Sequence, residues 1–208
     1  MKIISTNPDE DLQTIRDIME RSSKFLSLSG LSGIFAGACA LVGAAIAWFL
    51  ILGSGNVPAD IYLQGPAPGI RFYLALDAIL VLGFAALGAT WFSFRKAQKA
   101  GQPFWTHTTR RLLVHLFIPL ATGGIFALIL IFRNHPELVA PVMLMFYGLS
   151  LVNAGKFTFG EIHYLGLTEI ALGILAGIFV GYGLLLWTIG FGLMHIVYGT
   201  VMYFRHER

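Results

Sequence analysis

The sequence predicts an all-α protein, a six-transmembrane-helix bundle with both its N- and C-termini on the cytoplasmic side. Three observations lead there. Apolar residues make up 56% of the 208 residues and charged ones only 12%, about half the ~25% of a soluble protein. A chain so poor in charge cannot cover a surface facing water, and a mean hydropathy of +0.74 agrees. The apolar residues also gather into six stretches, each near the ~20 residues a helix needs to cross the hydrocarbon of a bilayer. Finally, lysine and arginine alternate between the connecting segments. The net charge of +3 comes from those segments and not from a nucleic-acid patch, so no nucleic-acid partner is expected. Cys39 is the single cysteine and lies inside an apolar run, which excludes a disulfide framework.

The spans fall at about residues 28–52, 72–94, 112–132, 136–153, 161–180 and 184–204. With the N-terminus inside, the inner segments carry Lys2, Arg16, Arg21, Lys24, Arg95, Lys96, Lys99, Arg110, Arg111, Lys156, Arg205 and Arg208. The outer segments carry only Arg71 and Arg133 of the 14 lysines and arginines. That asymmetry orients the bundle. The first run begins after 24 polar and amphipathic residues and is too long for a cleaved signal, so no secretory signal is expected.

Before the first span, residues 1–27 read as a cytoplasmic amphipathic segment, and residues 28–208 as a single transmembrane domain. Asn7 can cap a helix, Pro8 suits its first position, and Glu10 completes a capping box. Leu12, Ile15, Ile18 and Met19 form an apolar stripe that can lie on the inner membrane surface or bind another protein. The outer loop after Gly53 is rich in Gly and Pro. The next outer turn is Arg133-Asn134-His135 before Pro136, whose fixed φ suits a helix start. The last, Gly181-Tyr182-Gly183, is so short that the fifth and sixth spans must be antiparallel neighbours. The inner loop from Arg95 to Arg111 carries Phe104 and Trp105 among Lys96, Lys99 and Arg110. Aromatic anchors beside cations suit an anionic lipid leaflet, or a cytoplasmic protein partner.

A repeat shows in the odd-numbered spans: Gly33-Ile34-Phe35-Ala36, Gly124-Ile125-Phe126-Ala127 and Gly173-Ile174-Leu175-Ala176. The even spans share endings, Thr90 with Phe94-Arg95 and Thr200 with Phe204-Arg205. The expectation is three parallel two-helix hairpins around a pseudo-threefold axis, with a site near that axis. Ser29, Gly33 and Gly37, and then Gly173, Gly177 and Gly181, supply small faces for close helix packing. The same faces suit a homo-oligomer.

Ionisable groups at membrane depth are costly, which makes them functional candidates. Glu169 and His195 stand out. Each lies about eight or nine residues from the cytoplasmic end of its span, hence roughly 12–14 Å deep at ~1.5 Å per residue. The short turn between their helices lets them meet. Such a pair can relay protons or bind a small cation, hold a ligand, or serve as interhelical glue. Tyr198, three residues after His195, is placed to extend the chain of polar groups. Asp77 lies towards the outer side, facing a vestibule or bonding a neighbouring helix. His115, Glu161 and His163 sit near the inner boundary, within reach of water. Pro119 and Pro141 are expected to interrupt the third and fourth spans. Neither HExxH nor GxSxG occurs, so no metal site or cofactor is expected; a redox or lipid-modifying enzyme, with non-covalent haem between His115 and His163, is the weaker third reading.

The run from Met19 through Ser22-Ser23-Lys24-Phe25 to Gly30-Leu31-Ser32-Gly33, and the ending from Gly181-Tyr182-Gly183 through His195 to Tyr203-Phe204, resemble a family of small six-span integral membrane proteins of Bacteroidetes-type bacteria. The resemblance implies a location in the bacterial cytoplasmic (inner) membrane; it implies no activity and no site residues. The residues themselves point first to a small transporter or proton- or cation-conducting protein using Glu169 and His195. The alternative is a sensory or scaffolding subunit that recruits a cytoplasmic partner through the N-terminal helix and the basic loop.

Overall fold

The computed structural model describes residues 24–52 and 68–208. The expected amphipathic N-terminal helix and most of the loop after Gly53 therefore lie outside the described residues. Among those described there is no strand, and six helical stretches are long and apolar enough to cross a membrane. The protein is a multi-pass, all-α membrane protein.

The first span is α1 (Gly30–Ile46), continued by a π-helical turn, Ala47–Ile51. α2 (Pro68–Lys99) and α3 (His107–Phe132) form the second and third spans, and α4 (Val139–Ala154) the fourth. α5 is Gly160–Ile178. The sixth span has three parts: α6 (Gly183–Trp187), a π-helical segment Thr188–Met194, and α7 (His195–His206). Pro136 opens a single 3₁₀ turn ahead of α4, as its fixed φ favours.

Two helix boundaries and one expected proline break depart from expectation. α2 runs on to Lys99 because Lys96 and Lys99 sit in its last turn, where cations suit the negative end of the helix dipole. α3 starts at His107 because Thr106 caps it: Thr106 Oγ1 accepts from Thr109 N at 3.1 Å, and Thr109 Oγ1 accepts from Thr106 N at 3.3 Å. The basic residues thus stand on helix ends, and the loop between them shrinks to residues 100–106. Pro141 does not interrupt the fourth span. It lies in the first turn of α4, where a missing N–H leaves no bond unmade.

The helices form an open arc. α1 packs against α2 on one side and the sixth span on the other; α5 packs against the sixth span and α4, and α4 against α3. Each sequential hairpin therefore pairs, as a threefold repeat requires. The ring fails to close between α2 and α3, and α2 has its one substantial interface with α1 among the described residues. The repeated glycines show why. A Cβ on Gly33 would meet the sixth-span backbone at Gly199 and His195, and one on Gly173 would meet α4 at Met145 and Leu144. One on Gly124 would meet nothing within 4 Å. Two of the three repeats thus share a packing mode, and no closed ring defines an axis.

Close backbone approach holds the arc together. A Cβ on Gly148 would stand 2.6 Å from Gly166 O, and one on Gly199 2.6 Å from Ile34 N. Without lipid-excluding hydrophobic force, such intimate contact is a main source of helix association. The end of the bundle where Gly30 meets Glu207 is fastened by polar groups. Glu207, just past α7, accepts from Gly30 N and from Ser29 Oγ, the latter at 3.0 Å, so it caps α1 from the far end of the chain. Lys96 Nζ donates to Leu28 O at 2.7 Å and lies 3.4 Å from Glu207. Phe25 N donates to Phe157 O at 2.7 Å, and Thr158 Oγ1 to Phe25 O at 2.8 Å.

Candidate functional site

The buried face of α5 reads Leu165, Gly166, Glu169, Gly173 and Ala176. Steps of three and four along a helix keep to one side, so a glutamate in this stripe must point into the protein. Glu169 is wholly buried. His195, the first residue of α7, is buried opposite it, and its Nδ1 lies 3.4 Å from Glu169 Oε1. The structure therefore brings the two sequence-selected residues together.

The π-helical segment sets the histidine. Its wider turn brings Gly190 O within 3.0 Å of His195 Nδ1. A carbonyl can only accept, so Nδ1 carries the proton and, in the neutral ring, Nε2 is left as an acceptor. Tyr147 on α4 supplies the donor: its hydroxyl lies 2.7 Å from Nε2. Helices α4, α5 and the sixth span thus contribute one group each. π-Helical turns are rare and gather at functional sites.

Glu169 itself is unsatisfied. Neither Oε1 nor Oε2 has a hydrogen-bond partner, because the Nδ1 proton is directed at Gly190. Space for the carboxyl comes from Gly190, where a Cβ would collide with Glu169 Oε2 and would lie 2.7 Å from Leu144 Cδ2. In so dry a setting the tolerable states carry no net charge. Either a protonated Glu169 faces a neutral His195, or the carboxylate faces an imidazolium. A third proton-bearing group, Tyr147, can donate to Nε2 in the first state and accept from it in the second.

Tyr198 does not join this chain of groups. Its hydroxyl lies 3.3 Å from Thr168 Oγ1 instead, since three residues beyond His195 the helix has turned it towards the outer flank of α5. Tyr147 takes the place that Tyr198 was expected to fill. The signal for it was a phenol eleven residues into the fourth span, where a hydroxyl at membrane depth needs a partner.

Asp77 faces a vestibule, one of the two placements its position allowed. It lines a cavity of about 380 Å³ at the end of the bundle that holds Pro136 and Tyr182, with walls from α1, α2, α4 and α6. Both π-helical segments border this region: Trp48 belongs to one, and Trp187 directly precedes the other. Trp187 packs on Phe191 with ring centroids 5.0 Å apart, and Phe191 packs on Tyr147 at 4.8 Å and on His195 at 5.9 Å. Stacked rings, Trp187 and Phe191, therefore run from the cavity wall to Tyr147 and His195.

The basic residues divide. Arg95, Lys99, Arg110 and Arg111 are exposed around the α2–α3 connection, as is Trp105. Lys96 is drawn inward to Leu28 and Glu207, and its ammonium stands 5.1 Å over the Phe159 ring. Phe104 packs inside, edge-on to Phe25 and Phe94. Glu161 pairs with Arg205 at 2.9 Å and with His206 at 3.3 Å, and His115 stacks on Phe157. Among the described residues, no three His, Cys, Asp or Glu side chains converge on a metal position.

Comparison with protein-family models, with curated proteins and with solved structures finds no match to this chain.

Proposed function

We propose that the protein is a small proton-coupled transporter of a bacterial cytoplasmic membrane, with both ends inside and protons exchanged at Glu169 and His195. The observation that carries this is the buried carboxyl of Glu169, 3.4 Å from His195 Nδ1 yet without a hydrogen bond. Interhelical glue works by making its hydrogen bonds, at ~0.6 kcal/mol each on average. An unpaired buried polar group costs about 1–3 kcal/mol instead. A glutamate held in that state is a poor stabiliser and a good proton carrier. Tyr147 steadies the imidazole through both protonation states, and the stacked rings tie it to the cavity wall.

At the inner face, Arg95, Lys99, Arg110 and Arg111 with Trp105 would rest on anionic lipid, each cation worth ~1 kcal/mol near such a surface.

The test is proton flux into proteoliposomes loaded with a pH-sensitive dye. Glu169→Gln keeps the shape of the side chain and removes its proton exchange. Flux should fall to the level of empty liposomes, while the helical signal and elution profile stay unchanged. Undiminished flux in a folded Glu169→Gln protein would sink the reading.

A further inference from the structure

The cavity lined by Asp77 has a chemistry of its own. At about 380 Å³ it falls within the range of small-molecule sites, roughly 300–1,000 Å³. Its wall is mainly hydrocarbon, interrupted by the rings of Trp48, Trp187 and Tyr182 and by two acids, Asp77 and Glu137. Among the described residues, no lysine or arginine lines it. Glu137 is engaged with His135 at 3.0 Å. Among the described residues, Asp77 has no hydrogen bond or ion pair. Gly43 and Ala44 of α1 give it room: a Cβ on Gly43 would stand 3.4 Å from Asp77 Oδ2.

An uncompensated carboxylate within apolar walls attracts positive charge. A bare metal ion would need six or so oxygen ligands, which this wall does not offer. A cation carrying its own hydrocarbon is matched at both ends: its charge meets the carboxylate and the faces of two tryptophans, and its body meets the aliphatic wall. We infer that the cavity binds a small organic cation with an apolar body, an alkyl- or arylammonium, its charge held by Asp77 beside the Trp48 and Trp187 rings and its body packed against the aliphatic wall. This names the substrate class of the transporter proposed above and rests on that reading for its biological sense. Binding and proton exchange are nevertheless separate measurements.

The experiment is calorimetric titration of benzyltrimethylammonium into the protein in lipid nanodiscs, with empty nanodiscs as blank. Wild-type protein should show saturable binding, and benzenesulfonate, the anionic counterpart, none. Asp77→Asn should weaken binding about tenfold or more, the usual scale for losing one partner of a desolvated charge pair. Trp187→Leu should weaken it by about 3- to 30-fold through loss of the cation–π contact, and serves if Asp77→Asn fails to fold. Glu169→Gln should bind as wild type does, even with its proton flux gone. Absence of saturable binding, or unchanged affinity in folded Asp77→Asn, overturns the inference. So does loss of binding in Glu169→Gln with retention in Asp77→Asn, which would put the cation at the Glu169–His195 pair. Normal binding together with full flux in Glu169→Gln would remove the proton reading and leave the cavity assignment standing.

Discussion

Gly190 shows how one residue holds the site. It gives up its side-chain volume to the Glu169 carboxyl and lends its carbonyl to His195 Nδ1. Gly190→Ala is expected to lower stability by about 1–3 kcal/mol, the cost of overpacking a filled interior, read as a lower Tm in detergent. Wild-type stability in that variant would mean that the Glu169 side chain sits elsewhere. The meeting of Glu169 with His195 could be read from matched depths on two helices joined by a three-residue turn. Tyr147 could not be placed so, because a shared depth and the short link of residues 155–159 to α5 leave open which way its own helix is rotated. The rotation of α4 about its own axis, set by the Gly148–Gly166 contact, aims the phenol at Nε2.

At the scale of elements, the sixth span is the instructive one. Hydrophobicity marks a single continuous helix over residues 184–204, and the structure divides it around a π-helical segment. Gly190 and Gly192 within that segment are poor helix formers, which lowers the cost of the wider turn. A hydropathy profile carries no trace of it, because register within a helix leaves composition unchanged. The capping of α1 is a long-range matter too. Ser29 precedes the helix in the sequence position of a cap, yet it makes no capping bond, and Glu207 accepts from Gly30 N in its stead. Glu207→Ala should cost about 0.5–2 kcal/mol, the usual value of an N-cap, and should also strip Lys96 of its counterion. Hydrogen exchange at residues 30–33 should rise several-fold; unchanged protection there would show that packing alone holds the first turn.

For the whole molecule, the open arc leaves α2 on the periphery and gathers the polar interior among α4, α5 and the sixth span. The orientation inferred from Arg71 and Arg133 as the lone outer cations is directly testable. In a Cys39→Ser background, a membrane-impermeant maleimide should label His135→Cys on intact cells and Gln102→Cys only after lysis. The opposite pattern would invert the bundle. It would also turn the Asp77 cavity towards the cytoplasm, and with it the direction from which a cation arrives.

Six spans and the depth of each ionisable group follow from composition and spacing, because a bilayer charges a high and uniform cost for exposed polar groups. That cost is local, so it is written residue by residue along the chain. Which faces meet, where the ring opens, and which hydroxyl reaches His195 depend instead on helix rotation and close glycine contact. Those are properties of pairs of helices. In a medium as apolar as the side chains themselves, no single helix carries the preference that settles them.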